Sequence, residues 1–248
     1  MFDLKNGKEF IEKTKYPYLE KSDQLSGVPQ PPLELEWDQE AVTIDLPQDA
    51  PLNPVELTTA IQRRQSVRQY NNLPLSLAEL SHLLWCTQGV KQVYSNRTAR
   101  NVPSAGSRHA LETWLVVNNV AGLQSGLYRY IASKHQLALI TPAASGDIAA
   151  KATELCHGQP FVKTAAALFI WVAVPYRMAW RYGDRGYRYL HLDAGHVCQN
   201  LYLAAESIDA GVCAIAAYDD DQMNAFLGID GENAFAIYMA TVGKKQAY

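Results

Sequence analysis

Ten consecutive apolar residues, Ala165 to Val174, run uncharged between Thr164 and Pro175. The run is too short for a bilayer, which takes about 20 residues as a helix, and Pro175 prevents its simple extension. It fits a central strand covered on both faces. A core of that thickness is within reach, because the 248 residues are 48% hydrophobic, enough for one large domain or two small ones. No shift in composition divides the chain.

The segments around this strand set the fold class. Residues 1–51 read as an arm, since Pro17, Pro29, Pro31, Pro32 and Pro47 interrupt every long periodic pattern. Tyr16, Tyr18, Leu33, Leu35 and Trp37 give the arm apolar surface with which to lie on the domain or on a partner subunit. Residues 52–248 read as the folded domain. Asn53, Pro54 and Glu56 predict a helix start with Leu57, Ala60 and Ile61 turned inward. Ser76 and Glu79 form a second capping box, followed by Leu80, Leu83 and Leu84 and closed by Gly89. Trp114 to Val117 reads as a strand, and Leu127–Tyr130 with Gln136–Ile140 as a hairpin. Asp147–Cys156 predicts a helix. Leu190–Ile208 predicts the long core helix, its face running through Leu192, Gly195, Val197 and Leu201. Val212–Tyr218 and Phe235–Val242 close the chain as strands around a short helix capped by Asp219. Strands and helices alternate irregularly with one hairpin, which predicts an α+β fold around a mixed sheet.

Charge and cysteine content exclude several functions. With 22 basic and 25 acidic residues the net charge is −3, which offers no electrostatic footprint for nucleic acid or an anionic membrane. The first sixteen residues contain no apolar signal region, so a soluble, cytoplasmic protein is expected. Cys86, Cys156, Cys198 and Cys213 form no CxxC pair, which fits thiols in a reducing compartment. There is no GxGxxG, GxxxxGK(S/T), GxSxG or HExxH. His191 and His196 stand five apart on a predicted helix and face different ways, so no metal site is expected.

The chemistry concentrates in Arg63 to Tyr70, RRQSVRQY. Arg63, Arg64 and Arg68 repel one another unless an anion joins them, and Ser66 supplies a hydroxyl between them. A phosphate dianion suits guanidinium forks and a serine hydroxyl; a solvated basic helix end is the other reading of the same residues.

RRQSVRQY resembles the RxSxRx(Y/F) segment of the nitroreductase superfamily. VPSAGSR at 102–108, GLYRY at 126–130, DRGYRYLHLDAGHVCQN at 184–200, AGVCAI at 210–215 and VGK at 242–244 follow in the order of its SagB-type, thiazole-forming oxidase branch. FIEKTKY at 10–16 and GVPQPPL at 27–33 are similar to that branch's leader. The resemblance implies a mixed, mostly antiparallel sheet flanked by helices, and non-covalent FMN at the interface of a homodimer. It also implies NADH or NADPH as transient co-substrate, with a small-molecule or modified-peptide substrate.

Roles follow position by position from that resemblance. Arg63, Arg64, Gln65 and Ser66 would hold the phosphate, Gln65 through its backbone, and Arg68 would lie by the flavin's N1 and C2 carbonyl. Pro103, Ser104, Ala105, Gly106 and Ser107 would line the isoalloxazine, with Ser107 where many relatives have asparagine. Ala210 and Gly211 would bring a backbone N–H to N5, and Lys244 or Lys245 would complete the phosphate site. Arg181 and Tyr182 stand where azoline-oxidising relatives place a Lys-Tyr acid/base pair. The implied activity is hydride transfer from reduced nicotinamide to a nitroaromatic or quinone, with azoline dehydrogenation and non-catalytic flavin binding as the alternatives.

Overall fold

The computed structural model describes residues 4–142 and 146–246. Its helices are α1 (Lys5–Lys13), α2 (Leu57–Arg63), α3 (Leu77–Gln88), α4 (Ile148–Leu155), α5 (Pro160–Thr164), α6 (Pro175–Tyr182), α7 (Gly186–Glu206) and α8 (Asp220–Leu227). The strands are β1 (Thr43–Asp45), β2 (Leu75–Ser76), β3 (Val90–Val93), β4 (Thr98–Arg100), β5 (Leu111–Val117), β6 (Val120–Ala121), β7 (Gly126–Ile131), β8 (Gln136–Pro142), β9 (Ala167–Ala173), β10 (Ala210–Ile215) and β11 (Phe235–Lys244). Seven of them form one sheet in the order β1-β8-β7-β5-β9-β11-β10, antiparallel at every pairing. Among the described residues, parallel pairing is confined to the short β2–β6 ladder and a Ser66–Val212 bridge. This is the α+β arrangement read from the sequence.

The apolar run becomes β9, flanked by β5 and β11 with all seven residues buried. Successive side chains of a strand point to opposite faces, and β9 fills two cores. Ala167, Phe169, Trp171 and Ala173 pack on the face with Leu80, Leu83 and Leu84 of α3 and Leu190, Val197 and Leu201 of α7. Leu168, Ile170 and Val172 pack on the other face with Ala152 and Leu155 of α4, Phe161 of α5 and Met223 of α8. Each large side chain buried in this way contributes about 1.5–3 kcal/mol.

Helix starts follow the capping chemistry in three places. Ser76 accepts from the Glu79 N–H while Glu79 returns to the Ser76 N–H. Asp147 and Asp219 accept from Ala150 and Gln222 at the starts of α4 and α8. The predicted cap of α2 is different: Asn53 donates its side-chain amide to Asp209, and Glu56, at the capping position, makes no side-chain cap bond. The inward face expected there is also corrected, because only Ala60 is buried while Leu57 and Ile61 are exposed. Leu192, placed on the inner face of α7, is likewise exposed, since the buried stripe runs through Leu190, Asp193, Ala194 and Val197.

Residues 4–51 lie along this body. Arg188 donates to Ile11 O and Thr14 Oγ1, and Arg185 donates to Thr14 O. Trp180 Nε1 donates to Val28 O, and Gln24 N donates to Trp180 O. Residues 32–36 are held by a buried cluster in which Glu112 Oε1 accepts from Leu35 N, Arg177 donates to Pro32 O, and Arg129 donates to the Leu35 and Glu36 carbonyls. Arg177 and Arg129 also face Glu112 at 2.6 and 3.4 Å. The 2.6 Å contact lacks hydrogen-bond alignment, so its attraction is mainly Coulombic. Burial pushes the Glu112 carboxyl up, and Arg177, Arg129 and Arg100 more than reverse this, leaving it below the ordinary value.

Candidate functional site

The basic segment leaves α2 at Arg63 and crosses the ends of β10 and β11. It is fastened there by backbone and side chains: Val67 N donates to Val212 O, and Tyr70 OH donates to Val67 O and shares a hydrogen bond with Thr241 Oγ1. Gly211 makes the approach possible. A Cβ on Gly211 would stand 2.6 Å from Val67 Cβ, so the space the glycine leaves is taken by this segment. Ala210 and Gly211 are accordingly the buried first residues of β10, paired with Lys244 and Gly243, in a strand where a loop was expected.

Beside the segment lies a hollow of about 270 Å³ lined by Gln65, Ser66, Val67, Arg68, Gln69, Lys245 and Gln246. Ser66 Oγ lies 3.1 Å from Tyr202 OH, which accepts the Ala214 N–H at 2.8 Å, and the Arg64 guanidinium sits 5.2 Å from the centre of the Tyr202 ring. Arg68 lies 5.9 Å from the ring centre of Phe161. Among the described residues, Arg63, Arg64 and Arg68 have no carboxylate at ion-pair distance. Lys244, expected at the phosphate, is turned away, donating to Glu79 at 2.5 Å and to Ile208 O at 2.6 Å. The lysine lining the hollow is Lys245, ion-paired with Glu206 at 2.7 Å. Adjacent residues at a strand end point to opposite sides, which separates the two.

The PSAGS loop gathers elsewhere, near the start of α7. Ala105–Ser107 form a 3-10 turn. Ser104 Oγ donates to Asp193 Oδ2 at 2.5 Å and accepts from His109 N at 2.9 Å, which ties the loop to the helix. Burial raises the Asp193 carboxyl above its ordinary value, against the lowering effect of its donors Ser104 and Ala105. Burial drives His109 down to about 3, so its imidazole is neutral at pH 7. Gly106 adopts φ +57°, and a Cβ there would lie 2.4 Å from Tyr182 OH and 3.1 Å from Arg181 Nε. Arg181 and Tyr182, the expected acid/base pair, therefore meet the loop. Pro103 is exposed, and Ser104 and Ser107 are half-buried.

The candidate residues thus form two groups. One collects Gln65, Ser66, Arg68 and Lys245 along the hollow, with Arg64 and Ser66 at Tyr202; the other collects the PSAGS loop, with Ser104 tied to Asp193 and Gly106 against Arg181 and Tyr182. Asp193 and Tyr202 are nine positions apart on α7, about 13 Å at 1.5 Å per residue. Tyr202 lies outside the quoted motifs, and Asp193, inside DRGYRYLHLDAGHVCQN, had no role assigned, although an acid within the apolar stripe LHLDAGHV is itself a signal.

Sequence and structure comparisons bear on what these groups are. The Nitroreductase family profile matches residues 61–244. A provisionally named nitroreductase of Methanocaldococcus jannaschii is 35% identical over 193 residues, 77% of this chain and 92% of that protein. The trifolitoxin-processing protein TfxB of Rhizobium leguminosarum is 30% identical over 148 residues, covering 53% of this chain and 40% of TfxB. A crystal structure of a provisionally named nitroreductase from Anabaena variabilis superposes with TM-score 0.69 at 31% identity, covering 84% of this chain and 42% of that one. The matched span runs from α2 through the last strand, and so includes the basic segment, the PSAGS loop and the whole of α7: the chain belongs to the nitroreductase family.

Proposed function

We propose that the protein is an FMN-dependent oxidoreductase that passes hydride from NADH or NADPH to an organic acceptor such as a nitroaromatic or quinone, acting as a homodimer. The observation that carries this reading is the hollow beside RRQSVRQY, lined by Ser66, Arg68 and Lys245, with Arg64 next to it over the ring of Tyr202, the partner of the Ser66 hydroxyl, and with neither Arg64 nor Arg68 paired to a carboxylate among the described residues. That donor set fits a phosphate dianion. Arg64, Ser66 and Lys245 would hold the phosphate, with the backbone of Gln65 and Arg63 nearby.

FMN would supply reversible two-electron chemistry at N5. Arg68 would set a fixed positive charge where reduction places negative charge, which makes a bound flavin easier to reduce. The PSAGS loop, anchored by Asp193, would form the wall against which substrate lies. Exposed Leu57, Ile61 and Leu192 on α2 and α7 give a second copy apolar surface to cover. A dimer would add a partner's loop to the hollow. The test is size and colour: a yellow dimer that oxidises NADH or NADPH supports the reading, and a colourless monomer that takes up no added FMN refutes it.

A second reading, oxidation of an azoline in a modified peptide, draws support from the trifolitoxin-processing relative. Arg181 weighs against it, because a guanidinium stays protonated at working pH and abstracts no proton. Parallel assays on thiazoline peptide and nitroarene rank the two readings. Azoline oxidation faster than nitroarene reduction, and unaffected by Arg181→Lys, would reverse the order.

A further inference from the structure

An exposed arginine alone signifies little, but Arg181 does not stand alone. Gly106 separates it from a second guanidinium: Arg108, only 6% exposed, donates through Nε to Gly106 O at 3.2 Å and through an Nη to Asn96 O at 3.0 Å. On the other side of the same glycine lie Arg181 Nε and Cδ, at 3.1 and 3.2 Å from where a Cβ would be, with Tyr182 OH nearer still. Among the described residues neither arginine has a carboxylate at ion-pair distance. Burial first, and Arg181 second, hold the Arg108 guanidinium below its ordinary value, as expected for like charges set together without a counterion. The Arg181 fork and the Tyr182 hydroxyl lie together against one small-residue turn, and Arg108, with its Nε and one Nη spent on Gly106 O and Asn96 O, adds positive charge behind it; a free fork, a phenol hydroxyl and a supporting cation are a donor set for planar or tetrahedral oxyanions.

We propose that Arg181, with Arg108 and Tyr182, forms an anion-recognition site at the PSAGS loop, so that the substrate carries a carboxylate or phosphate beside its reducible group. The assignment rests on the reading of that loop as the substrate wall of a flavin site. Arg181 then sets specificity by charge, a role that a guanidinium fills at any working pH.

The test measures binding of 4-nitrobenzoate, 4-nitrophenyl phosphate and neutral 4-nitrobenzamide to the purified full chain by equilibrium dialysis, with flavin content determined on the same sample. At low salt at least one anion should bind roughly fivefold more tightly than the amide, and which one does so separates carboxylate from phosphate. The preference should shrink in about 0.5 M salt, disappear in Arg181→Gln and persist in part in Arg181→Lys. Equal binding of all three probes, or a preference that survives Arg181→Gln, would overturn the proposal. A flavin-free protein with an Arg181-dependent preference would overturn the flavin reading and leave the anion site standing; a flavin-loaded protein without preference would do the reverse.

Discussion

Replacing Glu112 with Gln tests whether the arm is part of the folded body. The Glu112 side chain is 2% exposed and, among the described residues, is the one carboxylate paired with Arg177 and Arg129, whose side chains are 3% and 5% exposed. Arg100, also buried, contributes a third positive charge nearby. An amide in place of the carboxylate keeps an acceptor for Leu35 N but leaves the guanidiniums uncompensated. Breaking a buried pair in this way costs about 3–5 kcal/mol, which in a chain of this size lowers the melting temperature by roughly 10 °C. The loss also has a pH signature. The folded-state carboxyl sits below the ordinary 4.5, so its contribution is fully present above pH 4.5 and fades as pH falls through the depressed value. The stability gap between the two proteins should therefore close on acidification below pH 4.5. Because Pro32, Leu35 and Glu36 are held by the same arginines, limited proteolysis should cut Glu112→Gln within residues 20–40 before the body. A loss below about 2 °C, or an arm as resistant as in the unsubstituted protein, would refute the reasoning.

Other substitutions act closer to the site. Gly211→Ala should push the Val67 backbone off β10 and weaken FMN uptake at least tenfold, about 1.4 kcal/mol, measured by flavin fluorescence quenching; unchanged uptake would show that the contact does not position the segment. Tyr202→Phe orphans the Ala214 N–H and frees Ser66 Oγ, with an expected cost of about 1–3 kcal/mol in urea unfolding together with weaker FMN binding. Lys244→Ala should chiefly lower stability by breaking the pair with Glu79, whereas Lys245→Ala should chiefly lower FMN affinity. The two effects are compared by melting curve and flavin titration.

Much of the fold was legible because strand and helix periods are written in the sequence. The ten-residue apolar run became β9, Ser76 and Asp219 cap the helices they were read to cap, and Asp147, read only as a helix start, proves to be a cap as well. Where reading failed, tertiary contacts decided: Asn53 found Asp209 instead of a helix N-terminus, and Leu57 and Ile61 face outward. In the site, RRQSVRQY announces its charge, but nothing in a linear sequence shows that Lys244 is taken by Glu79 while Lys245 faces the hollow. Likewise Gly211 reads as room for a ligand, and the room is filled by Val67 from a segment more than 140 residues earlier. Asp193 lies inside DRGYRYLHLDAGHVCQN but had no role assigned to it, and Tyr202 lies just beyond that motif; their importance emerges only once α7 links both groups.

The central claim, that the hollow beside Arg64, Ser66 and Arg68 holds the phosphate of FMN, is tested most directly by titrating the purified protein with FMN and with riboflavin, which lacks the phosphate. Charge-assisted contacts to the phosphate contribute about 1.5–3 kcal/mol, so FMN should bind at least tenfold more tightly, and the gap should collapse in Arg64→Ala. Equal affinity for the two flavins, or an FMN preference that survives Arg64→Ala, would contradict the account.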